Sequence, residues 1–225
     1  MYSLTYTYTS NFQKMKMIHI ILYIFALLSS YTTSYASSDF CVADLKLPNT
    51  PSGYPCKSEA NVTVNDFVFS DFFATGDPIA PFNSRVTTAF VNDLPGLNGL
   101  DISAASGDID INGTVPMHIH PDASELLIMI KGQLIVGFIT PTKLFVKTLN
   151  PGDVIVIPKG LMHFGVNSGV GKVVVITTYS SSNPSIQLLD VLLFGNTLST
   201  AILQKTTHLH PAEIKKLKAV FGGSG

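Results

Sequence analysis

The chain has 225 residues, of which 46% are hydrophobic and 13% are charged, with a formal net charge of −1. This composition excludes intrinsic disorder, which requires low hydrophobicity together with high net charge. It also provides no bulk positive charge for binding nucleic acid, and Arg85 is the sole arginine. The two cysteines are too few for a four-thiolate metal site or a disulfide-dense scaffold.

The N-terminal segment has the composition of a secretory signal. It contains no acidic side chain before Asp39, and two lysines precede the apolar run from Met17 to Leu28, which only His19 interrupts. A helix that spans a bilayer needs about 20 apolar residues, so this run is too short for a comfortable span. We predict a cleaved signal peptide at residues 1–36 and a secreted protein, with an N-terminal anchor or a buried helix as the alternative.

Secretion changes the interpretation of the cysteines. In an oxidising compartment we expect Cys41 and Cys56 to pair, closing a loop of about 15 residues that contributes roughly 3 kcal/mol in the chain-entropy model; two free thiols are the alternative. Asn61 and Asn112 each begin an Asn-X-Thr sequon. We expect glycosylation at Asn61 rather than at Asn112, because a glycan in the turn at Asn112 would crowd the candidate site that follows it.

The middle of the chain is predicted to be all-β. From Phe67 to about Phe194, short apolar runs rich in Val, Ile, Phe and Thr are separated by turn residues, which is typical of a β-sandwich or a closed barrel. The run Leu126–Ile130 is continuously apolar, as expected for a strand that is buried on both faces. The predicted strands are Val86–Val91, Leu126–Ile130, Leu134–Ile139, Leu144–Leu149, Val154–Ile157 and Val173–Thr178.

The C-terminal part is predicted to contain a last strand and two helices. Ile186–Phe194 is the candidate strand, and Leu198–Gln204 and Pro211–Phe221 are the candidate helices, the second with Pro in its first turn and a Gly pair after its end. An apolar stripe on the second helix lies opposite three lysines that we expect to be solvated. Packing against a neighbouring subunit and packing on its own barrel explain this stripe equally well. The predicted organisation is a signal peptide (1–36), an N-terminal extension with the disulfide (37–66), a β-barrel (67–194) and a helical extension (195–225).

Four residues have the identity and the spacing of metal ligands. His118 and His120 lie on one face of a strand, about 6.5–7 Å apart, so both can bind one ion. Glu125 opens an otherwise apolar strand, where an unpaired charge would be costly to bury. His163 comes from a later hairpin and joins the others only if a barrel brings early and late strands together. Three imidazoles and one carboxylate with open positions suit manganese or iron, whereas zinc more often takes four-coordinate geometry.

A second histidine pair lacks this context. His208 and His210 lie directly before a predicted helix, and Glu213 does not have the spacing of Glu125. We interpret this pair as structural or solvent-exposed.

Two longer motifs contain the four candidate ligands. Residues 113–132, which begin Gly-Thr-Val-Pro-Met-His-Ile-His-Pro-Asp-Ala-Ser-Glu, resemble the first cupin box, and residues 152–167, which include His163, resemble the second. With the segment Phe-Cys-Val-Ala-Asp-Leu at residues 40–45, the chain is similar over residues 39–225 to plant germin-like proteins. Its local sequence is most similar to that of the members described as auxin-binding proteins.

The resemblance implies a cupin jelly-roll β-barrel with a short C-terminal helical extension. It implies manganese bound by His118, His120, Glu125 and His163, with no catalytic residue beyond these ligands. It also implies a glycoprotein of the apoplast and cell wall. The expected assembly is a homo-hexamer, a trimer of dimers in which the C-terminal helices clasp neighbouring subunits.

The family includes oxalate oxidases, superoxide dismutases and proteins without firm catalysis. Its oxalate oxidases hold their substrate with two asparagines, and this chain has Val115 and Ala105 at the corresponding positions, which argues against oxalate oxidation. The first remaining function is superoxide dismutation, which needs no side chain beyond the four ligands. Asp122 at the rim and the negative net charge provide no electrostatic steering for this reaction.

The second remaining function is a non-catalytic one. A binding protein for a small anion or a small carboxylate such as auxin would use the metal to bind the carboxylate. Val115, Met117, Met162 and Phe164 would form an apolar mouth for the ring of the ligand, although strand alternation also predicts at least half of them in the barrel core. A wall or storage protein, a nutrient reservoir, belongs to the same class.

Overall fold

The computed structural model describes residues 17–24, 39–74 and 77–225. Residues 17–24 form a helix, α1, with exposed apolar side chains. The rest of the predicted signal peptide, with its cleavage site, lies outside the described residues. None of the described helices has both the length and the apolar character to cross a membrane. Residues up to Phe40 form one unit and Cys41–Gly225 form a second, to which everything below refers.

The second unit is mainly β-structure, as predicted. Short 3-10 helices cover Glu59–Asn61, Val64–Phe67 and Pro95–Leu97. The strands are β1 (Ser84–Ala89), β2 (Ser103–Ile109), β3 (Thr114–Ile119), β4 (Glu125–Lys131), β5 (Leu134–Ile139), β6 (Leu144–Leu149), β7 (Val154–Ile157), β8 (Met162–Val166), β9 (Val173–Tyr179) and β10 (Gln187–Leu188). The helices are α2 (Leu189–Phe194), α3 (Thr200–Thr207) and α4 (Pro211–Phe221).

The strands form two antiparallel five-stranded sheets, the arrangement of a jelly-roll β-barrel. The order is β1-β2-β9-β4-β7 in the first sheet and β10-β3-β8-β5-β6 in the second. Strands that are distant in sequence become neighbours in this topology, such as β2 with β9 and β3 with β8. The early ligand motif therefore meets the late one inside the barrel, as the sequence required.

The barrel core is formed by inward-facing aliphatic side chains of both sheets. These are Ile109, Leu127, Met129, Leu134, Val136, Leu149, Ile157, Val173 and Val175. In the single chain, the expectation that the strand Leu126–Ile130 is buried on both faces is wrong. Leu127 and Met129 are buried, whereas Leu126 and Ile130 are exposed. A continuous apolar run does not distinguish a second buried face from an apolar outer face.

The predicted last strand is mostly helix. Gln187 and Leu188 pair with β3, and the chain then turns into α2, because an apolar run without alternation fits either structure. Phe194 of α2 packs with Leu203 and Ile214 in a buried cluster between the three helices. The apolar stripe of α4 therefore packs on its own chain.

One lysine of α4 is not in solvent, contrary to the prediction. Lys218 is buried, and its Nζ donates hydrogen bonds to the carbonyl oxygens of Asn196 (3.0 Å) and Ser224 (2.6 Å). The ammonium group thus holds the C-terminal segment against the helices.

The predicted disulfide is present, and both sequons are exposed. Cys41 and Cys56 are bonded to each other, and Asn61 and Asn112 lie at the surface. Asn112 precedes β3, whereas His118 lies near the far end of that strand, about 20 Å along it at 3.3 Å per residue. The expected crowding of the site by a glycan at Asn112 is therefore not supported.

Candidate metal centre

The four predicted ligands come together at one end of the barrel. His118 of β3 is opposite His163 of β8 in the strand register, His120 follows β3, and Glu125 begins β4 in the other sheet. All four side chains are buried, and one ligand atom from each lies within 4.8 Å of the others. His208 lies in the junction between α3 and α4, outside this group.

The tertiary structure fixes the tautomer of each imidazole. The Nδ1 atoms of His118 and His163 each lie 2.8 Å from the carbonyl oxygen two residues earlier, and Nδ1 of His120 lies 2.6 Å from the carbonyl oxygen of Ser185. A carbonyl only accepts hydrogen bonds, so each Nδ1 carries the proton. In the neutral rings the Nε2 atoms therefore present lone pairs, which is the form that binds a metal.

These lone pairs face a carboxylate oxygen. Oε2 of Glu125 lies 3.1 Å from Nε2 of His163 and 3.5 Å from Nε2 of His120. Nε2 of His120 is buried without a hydrogen-bond partner among the described residues. Acceptor atoms packed this closely in a buried site repel each other unless a cation lies between them. The residues therefore fit a divalent cation.

Burial keeps His118 and His120 neutral. Removal from water, reinforced by the neighbouring charge of His163, lowers the pKa of His118 to about 4, and burial also lowers the pKa of His120. Both rings are therefore ready to bind a metal at mildly acidic pH without first losing a proton.

An apolar cavity of about 280 Å³ adjoins the four ligands. Val115 and Phe164 line it as predicted, but Met117 and Met162 do not. The register of β3 shifts between Val115 and His118, which is a β-bulge. Because of this bulge the side chains of Val115 and His118 both face inward, whereas Met117 is exposed. The other aliphatic lining residues are Val86, Leu127, Leu134, Val136, Ile157, Val175 and Ile186.

Asp122 is not part of the cavity lining. Its carboxylate accepts hydrogen bonds from the backbone N–H of Ser185 (2.9 Å) and the hydroxyl of Ser181 (3.3 Å). It thereby holds the loop whose Ser185 carbonyl orients His120. This positioning role of Asp122 was not predicted from the sequence.

Two residues of the site, Thr177 and Tyr179, were not predicted from the sequence. Tyr179 is opposite Glu125 in the register of β9 and β4, and its ring lies edge-on to His120, with 5.0 Å between centroids. Burial, together with the charge of Glu125, raises the pKa of Tyr179. The signal that could have revealed the pair is the alternation along β9, where these two hydroxyl residues continue the buried face of Val173 and Val175.

Comparisons with known proteins agree with this geometry. The cupin family model matches residues 70–215. A germin-like protein of Morus alba is 45% identical over 210 residues, which cover 93% of this chain and 100% of that protein. An auxin-binding protein of Prunus persica is 47% identical over 210 residues, covering 92% and 100% of the two chains. The structure of an oxalate oxidase in complex with the substrate analogue glycolate is similar with a TM-score of 0.78 and 33% identity, over 82% of this chain and 96% of that one.

Proposed function

Because the chain belongs to the cupin family and, within it, to the germin-like proteins, we propose that it is a secreted manganese-binding protein with superoxide dismutase activity. The observation that supports metal binding is that the Nε2 atoms of His120 and His163 face Glu125 Oε2 in a buried site. Three imidazoles, one carboxylate and no thiolate suit manganese or iron, and the membership of the germin-like proteins is the reason for proposing manganese.

His118, His120, Glu125 and His163 would hold the metal. Bound manganese would supply the one-electron couple that the reaction needs, in which two superoxide ions and two protons give dioxygen and hydrogen peroxide. The described residues contribute the four ligands and an apolar cavity that admits a small anion. Loss of Lys14 and Lys16 with residues 1–36 would change the formal net charge from −1 to −3, which gives superoxide no electrostatic attraction, so we expect a rate below the diffusion limit.

The test is the dismutation rate per bound manganese ion of the purified secreted protein. His163→Ala should lose both the metal and the activity. The matched control is His208→Asn, which changes an exposed histidine outside the cluster at a left-handed position that Asn tolerates. This variant should retain both properties. A fully manganese-loaded protein without activity would contradict the dismutase proposal.

The alternative is a non-catalytic protein that binds a small carboxylate such as auxin, or a wall or storage protein. The apolar cavity beside the cluster favours the carboxylate, because its volume of about 280 Å³ is far larger than a diatomic anion needs. Oxalate oxidation is not proposed. Val115 lines the cavity and Ala105 is buried in a cluster with Tyr179, and neither side chain can form a hydrogen bond to a dicarboxylate.

Secretion is proposed from the signal peptide at residues 1–36 and the disulfide between Cys41 and Cys56. Disulfides persist in oxidising compartments such as the apoplast. Mass spectrometry of the secreted protein would give the mature N-terminus and would show whether Asn61 carries a glycan. A mature chain that retains residues 1–36 would contradict this proposal.

A homo-hexamer, built as a trimer of dimers, is proposed from the exposed apolar surface. Leu126 and Ile130 of β4 and Val154 and Val156 of β7 are exposed on the first sheet, and Leu126 is opposite Val156 in the register. A patch of this kind is typical of a subunit interface. Light scattering should give six times the chain mass, and Val154→Lys with Val156→Lys should reduce that mass. A monomeric wild-type protein would contradict the proposal.

A further inference from the structure

The cavity beside the four ligands contains one pair of hydroxyl groups whose purpose the metal does not explain. Apart from the ligands, the hydroxyl-bearing residues in its described lining are Thr88, Thr177 and Tyr179. The Thr88 hydroxyl donates to the carboxylate of Asp93 at 2.8 Å. The hydroxyls of Thr177 and Tyr179 instead lie 2.9 Å from each other, and both side chains are buried.

The strand register places this pair deeper in the barrel than the ligands. Tyr179 is opposite Glu125, and Thr177 is opposite Leu127, the next inward-facing residue of β4. Inward-facing neighbours on a strand are about 7 Å apart. Since the Tyr179 hydroxyl reaches Thr177, the tyrosine side chain extends along β9 and carries its hydroxyl away from the level of Glu125. A small molecule that contacts both the four-residue cluster and the hydroxyl pair must therefore span about 7 Å.

The hydroxyl pair can form a hydrogen bond in addition to the one between its two members. The single proton of Thr177 has two acceptors within reach, the oxygen of Tyr179 at 2.9 Å and the carbonyl oxygen of Ala105 at 3.3 Å. If Thr177 donates to Tyr179, the proton of Tyr179 needs an acceptor. If Tyr179 donates to Thr177 and Thr177 donates to Ala105, the oxygen of Tyr179 keeps its lone pairs. In both arrangements Tyr179 can form a hydrogen bond to a ligand group.

Charge and size define the rest of the ligand. A divalent cation held by three neutral imidazoles and one carboxylate leaves one positive charge in an apolar site, which favours a monoanion. The cavity of about 280 Å³ equals about nine water volumes at about 30 Å³ each. A benzene ring with two polar groups in para positions fits this volume and spans the distance between cluster and hydroxyl pair.

We propose that the cavity binds a small aromatic hydroxy acid, with its carboxylate at the four-residue cluster and its hydroxyl group hydrogen-bonded to Tyr179, which Thr177 orients. This assignment rests on the metal-binding function proposed above. Tyr179 is then the residue that determines specificity between hydroxylated and unhydroxylated acids.

The test compares two ligands that differ by one hydroxyl group. Benzoate and 4-hydroxybenzoate are titrated calorimetrically into the manganese-loaded protein and into Tyr179→Phe, which removes only the phenolic hydroxyl. The wild-type protein should bind 4-hydroxybenzoate about tenfold more tightly, as expected for one additional buried hydrogen bond. Tyr179→Phe should lose this preference while its affinity for benzoate and its manganese content remain unchanged.

Two further variants complete the design. Thr88→Val removes a cavity hydroxyl that is already bonded to Asp93, so it should keep the tenfold preference. Thr177→Val should reduce the preference, and it replaces Tyr179→Phe as the test if that variant does not fold. Equal affinity of the wild-type protein for the two acids, or a preference that survives in Tyr179→Phe, would overturn the proposal. Manganese content, measured separately, distinguishes these results from failure of the metal-binding function itself, which would appear as an unloaded wild-type protein.

Discussion

Glu125→Gln should change stability in opposite directions with and without metal. In the metal-free protein, Oε2 of Glu125 lies 3.1 Å from Nε2 of His163 and 3.5 Å from Nε2 of His120, and each nitrogen is an acceptor when its ring is neutral. An amide in this position donates to one of them, a bond worth about 1 kcal/mol, and relieves an unpaired buried group that costs about 1–3 kcal/mol. We therefore expect the metal-free variant to be about 2 kcal/mol more stable than the wild-type protein, which raises the melting temperature by roughly 4–8 °C for a chain of this size.

Manganese should reverse this order. At a free metal concentration of one hundred times its Kd, the wild-type protein gains about 2.7 kcal/mol, whereas the variant, without the anionic ligand, should gain almost nothing. The assay is thermal and urea unfolding with a chelator and then with added manganese. Glu213→Gln, an exposed change near Lys216, is the control and should alter neither measurement. A metal-free Glu125→Gln protein that is no more stable than the wild-type protein would refute the idea that a cation compensates the buried carboxylate.

Three other predictions concern stability. Because the pKa of His118 falls to about 4 in the folded protein but is about 6.5 in the unfolded chain, acidification protonates the unfolded state first. The metal-free protein should lose up to about 3 kcal/mol between pH 6.5 and pH 4, and a flat profile in urea unfolding would contradict this. Replacement of Cys41 and Cys56 by Ser should cost roughly 3 kcal/mol, with reduction of the wild-type protein giving the same shift in melting temperature. Lys218→Met should cost about 1–3 kcal/mol by leaving the carbonyl of Ser224 unpaired, and unchanged protease resistance of the C-terminal segment would argue against this role.

Spacing along the chain was sufficient to predict the four ligands. An apolar strand that begins with Glu125 and a His-X-His pair before it are local features, and they meet His163 because β3 pairs with β8 in this barrel. The strands Leu134–Ile139, Leu144–Leu149 and Val154–Ile157 were also predicted with the bounds that the structure has. Local alternation and turn residues carry this information because they depend on neighbours within a few positions.

Features that depend on which strands become neighbours were not predictable in this way. Tyr179 lies opposite Glu125 only because β9 pairs with β4, and Val115 shares the inner face with His118 only because the strand bulges between them. The run that ends at Phe194 was predicted as a strand and is mainly helix, since its apolar residues suit both structures and the packing with α3 and α4 decides between them.

The sequence by itself therefore determined the all-β class of fold, the disulfide and the identity of the four ligands, through composition, local spacing and the resemblance of its two motifs to the cupin boxes. Only the tertiary structure decided the state of the site. The carbonyl of Ser185, reached through a loop held by Asp122, fixes the tautomer of His120, and the register of β9 adds the hydroxyls of Thr177 and Tyr179 to the cavity. These hydrogen bonds and this cavity are formed by residues that are far apart along the chain, so they exist only when the barrel has closed.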